Sequence, residues 1–452
     1  MVLRGGMTMK HDPNTPVNLH PVLELIHGEL TESVTRSVFQ EVRTTERERK
    51  WTLHHLLLFW TEVILRAPKS LSELLKDLWN RSWLETTDEA FFQRCRDLSW
   101  EFFAALYRRF VESVQDRAPC RYLPHLQPLL GRFAHVWIID ASRLDRIART
   151  LKILRHLNVT VLPGCLMAAY DLFRGFAVRL HFDPDAATAE VPRALKLFDD
   201  VPENTLLCGD RAGGIPRIFQ ALSERKLWGL FRHNPHVKLK RRRLLAKTRY
   251  GSTTVEEWLV DAGGGTTTPV QSLRLIRRLK PGFQLLTNVL DPSRLTAAEA
   301  LDLYRQRWSI EKLFYQLKCV LNLRHFYAAN PNAIAMQVYS AALVHTAMRV
   351  TQARLSEQLQ IDPDDLSTER LFMRLAAGSH LLAGFDMTLL EVEEANPGLV
   401  YKRPSPAKKL TVPLKFILKE RAAPTRVRKP RKRQRGNWKS LRHVKGAEQF
   451  LS

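Results

Sequence analysis

The sequence predicts an α/β fold, preceded by an all-helical N-terminal region and followed by a helical, basic C-terminal region. Three observations predict it. Residues from about 20 to 128 carry helical periodicity and few strand signals. After Pro128, short apolar runs alternate with amphipathic helices. Beyond Arg421 the chain becomes dense in base. A chain of 452 residues suggests roughly two to three domains, and its 45% hydrophobic content supplies a large core.

The elements follow in order. SLSELLKDLW (Ser70 to Trp79) opens on a plausible N-cap, with Glu73 three residues later. EAFFQRCRDLSWEFFAALYRRFVESV (Glu89 to Val114) is one long amphipathic helix or two. HVWIID (His135 to Asp140) reads as a strand ending in an acid. VTVLPGCLMAAYD and FAVRLHFD read as two more, joined by a hairpin across LFRG. PRALKLFDDV is helical. NTLLCGD (Asn204 to Asp210) is a fourth strand, again ending in an acid. GIPRIFQALSERK is a helix; LWGLFRHN and FQLLTNVL are strands. A helix then starts near Thr296. Between Arg232 and Gly282 the basic run KLKRRRLLAKTRY and the strand-like TTVEEWLV and SLRLIRRL read as a β-rich insertion.

These boundaries divide the chain into a helical N-terminal domain (1–128), which could bind DNA through a helix-turn-helix or equally be a structural bundle, and an α/β domain (129–330) containing the insertion (233–282). A helical C-terminal region (331–418) and a basic tail (419–452) follow. From Arg421 to Gly446 the tail has eleven positive residues and no acid, which suits an arm for phosphates.

Charge and cysteine usage narrow the partner. Lys and Arg number 70 against 46 acids, a formal net charge of +24. That points to a polyanion, nucleic acid first. Cys95, Cys120, Cys165, Cys208 and Cys319 form no CxxC pair, which argues against a zinc ribbon and fits free thiols. The N-terminus lacks the apolar run of a signal peptide. AIAMQVYSAALVHTAM (Ala333 to Met348) is interrupted by Gln337 and His345, so it reads as a buried helix rather than a membrane span. The expected location is the cytoplasm, on nucleic acid, with no membrane partner.

Asp140 and Asp210 each end a predicted strand, where α/β sheets place their sites. A turn-forming Asp is the ordinary alternative for either one. The helix LYRQRWSIEKLFYQLK (Leu303 to Lys318) changes that balance. Projected at about 100° per residue, Tyr304, Arg307, Glu311 and Lys318 fall within about 60° of one another. Leu303, Ile310 and Leu317 lie on another face and would seat the helix. Two Asp and one Glu converging suit a two-metal phosphoryl-transfer site, because hard cations prefer carboxylate oxygen. Tyr304, Arg307 and Lys318 would hold phosphate oxygens beside them. Ser142 reads as a turn residue.

The order Asp140, Asp210, Glu311, with the Glu inside Y-x2-R-x3-E-x6-K, resembles the DDE transposases of bacterial insertion sequences, and the insertion sequence four family most of all. HVWIIDASRL and LLCGDRAGG resemble its two Asp segments, and the likeness runs from about Phe133 to Thr351. The resemblance implies an RNase H-like catalytic domain. It also implies two Mg2+ ions, with Mn2+ as a substitute, held by Asp140, Asp210 and Glu311. Double-stranded DNA, as terminal inverted repeats and target, would be the partner, gripped by Tyr304, Arg307 and Lys318, with Arg232 as a further phosphate contact. A homodimer in the synaptic complex is implied as well. Where relatives stack a flipped base on an aromatic of the insertion, Trp258 or Phe283 would serve here, though each also fits an ordinary core aromatic. Two alternatives stay open: a catalytically silent DNA binder derived from a transposase, and an RNase H-like nuclease without strand transfer.

Overall fold

The computed structural model describes residues 12, 14–79, 84, 86–144, 164–185, 188–263, 270–280, 282–323, 325–328, 330–379 and 410–419. Most of the basic tail, its Arg421 to Gly446 run included, and the residues 159–163 of the predicted second strand lie outside them.

After a short strand β1 (Pro16–Asn18), six helices come first: α1 (His20–Glu29), α2 (Glu32–Val42), α3 (Leu53–Arg66), α4 (Leu71–Trp79), α5 (Asp88–Asp97) and α6 (Glu101–Gln115). Threonine hydroxyls cap three of them. Thr31, Thr52 and Thr87 accept from the amides of Val34, His55 and Ala90, each satisfying an otherwise unpaired donor. Ser70 accepts from Glu73 N at 3.2 Å, as its sequence position predicts. The Glu89–Val114 stretch resolves into two helices, α5 and α6.

The centre is one sheet of nine strands: β2 (His135–Arg143), β3 (Cys165–Asp171), β4 (Phe176–Asp183), β5 (Thr205–Gly209), β6 (Trp228–Arg232), β7 (Leu239–Tyr250), β8 (Thr253–Ala262), β9 (Gln271–Arg278) and β10 (Phe283–Thr287). Their spatial order is β4-β3-β2-β5-β6-β10-β9-β8-β7. β2, β5 and β6 run parallel to their neighbours in that trio, and every other pairing is antiparallel. Helices α7 (Glu190–Phe198) and α8 (Pro216–Glu224) provide the connections around β5. The segment 233–282 therefore adds no separate body: through β10 it lengthens the same sheet by β9, β8 and β7. The basic run KLKRRRLLAKTRY becomes β7, a long, largely exposed edge strand. Its charged side chains discourage edge-to-edge pairing.

After β10 come α9 (Ala297–Arg305), α10 (Trp308–Tyr315), α11 (Pro331–Gln358) and α12 (Thr368–Ser379), then a strand β11 (Thr411–Pro413) that pairs antiparallel with β1. α11 is buried along most of its length and packs against α1, α3 and α6. It includes the Ala333–Met348 run, and among the described residues no helix is long and apolar enough to cross a membrane.

Three expectations change. The first strand does not end at Asp140 but runs on to Arg143, because β3 pairs with it through Cys165. Ser142 therefore lies in a strand, opposite Leu166, and not in a turn. The helix from Thr296 is not continuous. A Thr296–Glu299 capping box starts α9, which stops at Arg305; α10 follows from Trp308, and residues Gln316–Val320 form a π turn. Leu303, Ile310 and Leu317 are all buried, as the projection expects. At roughly 1.5–3 kcal/mol for each fully buried aliphatic side chain, against about 0–1 kcal/mol for an exposed ion pair, these three dominate the seating of α9 and α10.

Candidate active site

Strand register places the two aspartates. Ile138 is the partner of Cys208 in the parallel pair β2–β5. Two residues further along each chain stand Asp140 and Asp210, side by side at the carboxyl end of the pair, on strands spaced about 4.8 Å apart. Asp140 Oδ1 accepts from Ala141 N at 2.9 Å, and Asp210 Oδ1 accepts from Ala212 N at 2.7 Å. The turn after Asp210 is held close to β6: a Cβ on Gly214 would stand 2.1 Å from the carbonyl oxygen of Arg232. Only glycine fits there.

Helix α10 packs on β2 and brings Glu311 toward the pair. Arg307 stands between. Its Nη2 donates to Glu311 Oε1 at 3.1 Å, and its Nη1 lies 3.9 Å from Asp140 Oδ2. Burial opposes the guanidinium charge, but Tyr304, Asp140 and Glu311 together raise its pKa above the ordinary value. Asp140 is pushed up to about 6, first by burial and then by the charges of Asp210 and Glu311, with the Ala141 amide and Arg307 opposing. The three acids thus feel one another across one site. Among the described residues, no three His, Cys, Asp or Glu side chains stand close enough to hold a single ion as placed; Glu311 is turned onto Arg307.

The other expected residues fall around this centre. Lys318, on the π turn, donates to Ser142 Oγ at 2.6 Å and to the carbonyl of Arg143. It ties the end of the helix to β2 two residues beyond Asp140. The turn is pinned on its far side by a 2.7 Å contact between Gln316 Oε1 and the buried His345 Nε2. π turns of this kind recur at functional sites. Tyr304 is half-buried, with its ring 5.1 Å from that of Phe283, and Arg232 lies over the other side of this cluster, 5.4 Å from the Phe283 ring. Burial raises the Tyr304 pKa, with Arg307, Arg232 and Asp210 among the charges it senses. Phe283 is thus beside the site. Trp258 sits in β8 under Arg241, at 5.1 Å.

One residue was missed. Glu190, the first residue of α7, shares with Asp210 a small cavity also lined by Ile139, Met167 and Phe231. Burial, then Asp210 and Asp140, push its carboxyl up to about 7. In the sequence it looks like an acid in a first helical turn, where the helix dipole already explains it. Nothing there signals that α7 begins beside β2 and β5.

Comparison with known proteins fits this geometry. The family described as "Transposase DDE domain" matches residues 163–347, which include Asp210, Tyr304, Arg307, Glu311 and Lys318. Over 249 residues the chain is 28% identical to "Putative transposase y4zB" of Sinorhizobium fredii, spanning 50% of this chain and 68% of that protein. Both are likenesses to transposases, the first covering less than half of this chain. Among solved structures, the piggyBac transposase synaptic complex with hairpin DNA aligns over 85% of this chain and 84% of its own, at 13% identity and a TM-score of 0.40.

Proposed function

We propose that this protein is a cut-and-paste DNA transposase of the insertion sequence four type. It binds the terminal inverted repeats of its element, cleaves the ends by phosphodiester hydrolysis and joins the freed 3′-hydroxyls to target DNA. The observation that carries the reading is that Asp140 and Asp210 each stand two residues past the paired Ile138 and Cys208 of adjacent parallel strands, with Glu311 on α10, which packs on β2. The order β4-β3-β2-β5-β6, antiparallel on one side of β2 and parallel on the other, supports an RNase H-like core.

The donor set fits hard cations. All three ligands are carboxylates, and Asp140 is raised first by burial and then by the charges of Asp210 and Glu311, a cost that a bound cation would offset. Asp140, Asp210 and Glu311 would hold two Mg2+ ions, which when bound supply an activated attacking oxygen and a stabilised leaving oxygen. The chain itself contributes the rest. Arg307 offsets the charges of Asp140 and Glu311 and would be free to hold a phosphate oxygen were Glu311 to serve as a ligand. Lys318 holds the helix at the correct height on β2 through Ser142. Tyr304, backed by Phe283 and Arg232, walls the Asp210 side against water. Two copies would hold the paired ends in the synaptic complex, as the family resemblance implies.

The test is nicking of duplex DNA carrying the element's own terminal repeats, with Mg2+ or Mn2+. Wild type should nick at the repeat ends, and Asp140→Asn, Asp210→Asn or Glu311→Gln should not, while still binding. End binding without cleavage by wild type would instead favour the silent DNA binder. Cleavage without joining would favour the nuclease.

A further inference from the structure

A second charged site lies in the N-terminal helices, away from the three acids in sequence and untouched by their chemistry. The connection from α2 to α3 (residues 43–52) and helix α5 border a groove of about 490 Å3. Its lining includes Arg47, Arg49, Lys50 and Arg94, against the acids Glu46 and Asp97. Arg94 is the buried member of this set, at 6% exposure. Its Nε donates to the carbonyl of Trp51 at 3.2 Å, and its guanidinium lies 5.8 Å from the Phe39 ring. Its Nη2 has no hydrogen-bond partner among the described residues. A buried guanidinium with an unmade bond is costly and calls for an anion.

The acids present do not answer that call. The Glu46 carboxylate is turned back on its own loop, accepting from Thr44 N at 2.9 Å and Thr45 N at 3.2 Å. Asp97 faces Arg96, at 4.0 Å. Burial pulls the Arg94 pKa down and nearby Arg49 pulls it further, with Glu46 and Asp97 offsetting only part. Arg47 and Arg49 are exposed at the rim and have no acid partner among the described residues.

We propose that this groove binds a phosphate of the DNA backbone, with Arg94 as the buried donor and Arg47 and Arg49 as the outer contacts. The planar fork of arginine matches the oxygens of a phosphate, and backbone phosphates position a duplex without reading its sequence. The anion follows from the groove alone, whereas DNA as its source rests on the function proposed above.

The experiment is binding of the full-length protein to duplex DNA carrying the terminal repeats, measured by fluorescence anisotropy over a salt series. In the double variant Arg47→Gln/Arg49→Gln, the slope of log K against log salt should shrink by about 2, and in Arg94→Met by about 1. Inorganic phosphate should raise the Tm of wild type and leave that of Arg94→Met unchanged. If Arg94→Met fails to fold, the double variant decides. Unchanged affinity and slope in the double variant overturn the proposal, even if inorganic phosphate binds, because the anion would then not be DNA. Glu311→Gln separates the two readings, since it should lose cleavage and keep the wild-type slope. Wild type that never cleaves, yet binds DNA in a groove-dependent way, sinks the transposase reading and leaves the groove standing.

Discussion

The β2–β5–α10 centre and the α2–α5 groove treat buried charge in opposite ways. The first gathers acids: Asp140, Asp210 and Glu190 sense one another's charge, and Arg307 is the internal cation between Asp140 and Glu311. The second gathers bases around Arg94, while Glu46 in the same groove accepts hydrogen bonds from its own loop. In each region a charged group is held away from water with its partner incomplete. Burial makes each charge costly, so the contrast is between a carboxylate-rich centre and a guanidinium-rich groove.

The contrast can be broken most severely at the acids. Asp140→Asn should reduce cleavage by at least about 100-fold, and the metal-free protein should become more stable, since a repelled buried charge is gone. Both effects are read on one preparation, by nicking rate and by urea denaturation. A destabilised Asp140→Asn protein would mean that this carboxylate is satisfied within the fold.

Next in size is the turn that holds Asp210. Gly214→Ala places a methyl 2.1 Å from the Arg232 carbonyl. The backbone must shift, at a cost of about 1–3 kcal/mol, and cleavage should fall more than DNA binding does. Equal losses of both would place the damage in the fold as a whole.

Arg307→Gln sharpens the acid side. It removes the cation between Asp140 and Glu311, so the apparent pKa of Asp140 should rise above its present value of about 6. The pH profile of cleavage should move to higher pH. A profile that stays in place would put Arg307 outside the site.

The smallest effect is on stability against pH. The Asp140 pKa rises from 3.8 unfolded to about 6 folded, so the folded state binds its proton more tightly. Stability from this group is therefore fully present below pH 3.8 and declines as pH climbs toward 6. In metal-free protein, Asp140→Asn should flatten that part of the curve, and added Mg2+ should do the same in wild type. Thermal melts from pH 4 to pH 7 test both.

Much of the fold was legible because its periodicities are local. Alternation gave FAVRLHFD as β4, a helical stripe gave GIPRIFQALSERK as α8, and acids fell near strand ends. KLKRRRLLAKTRY hid its strand because charge masks alternation, and only pairing with β8 shows it. The helix carrying Glu311 looked continuous because no proline or glycine breaks it. The interruption at Gln306–Arg307 and the π turn reflect packing on β2 and the Gln316–His345 contact. The extension of β2 past Asp140 was invisible, since ASR is an unremarkable polar stretch until β3 pairs with it.

By itself the chain's order of residues determined the strand-and-helix alternation, the basic charge and the set Asp140, Asp210, Tyr304, Arg307, Glu311 and Lys318. Spacing and side-chain chemistry are written along the chain. Tertiary structure alone decided the parallel pairing of β2 with β5 that brings the two aspartates together, the place of Arg307 between Asp140 and Glu311, the link from Lys318 to Ser142 and the approach of Glu190. It also decided that Arg94 is buried with an unmade bond. These depend on which residues distant in sequence meet out of water, where a charge becomes costly and therefore informative.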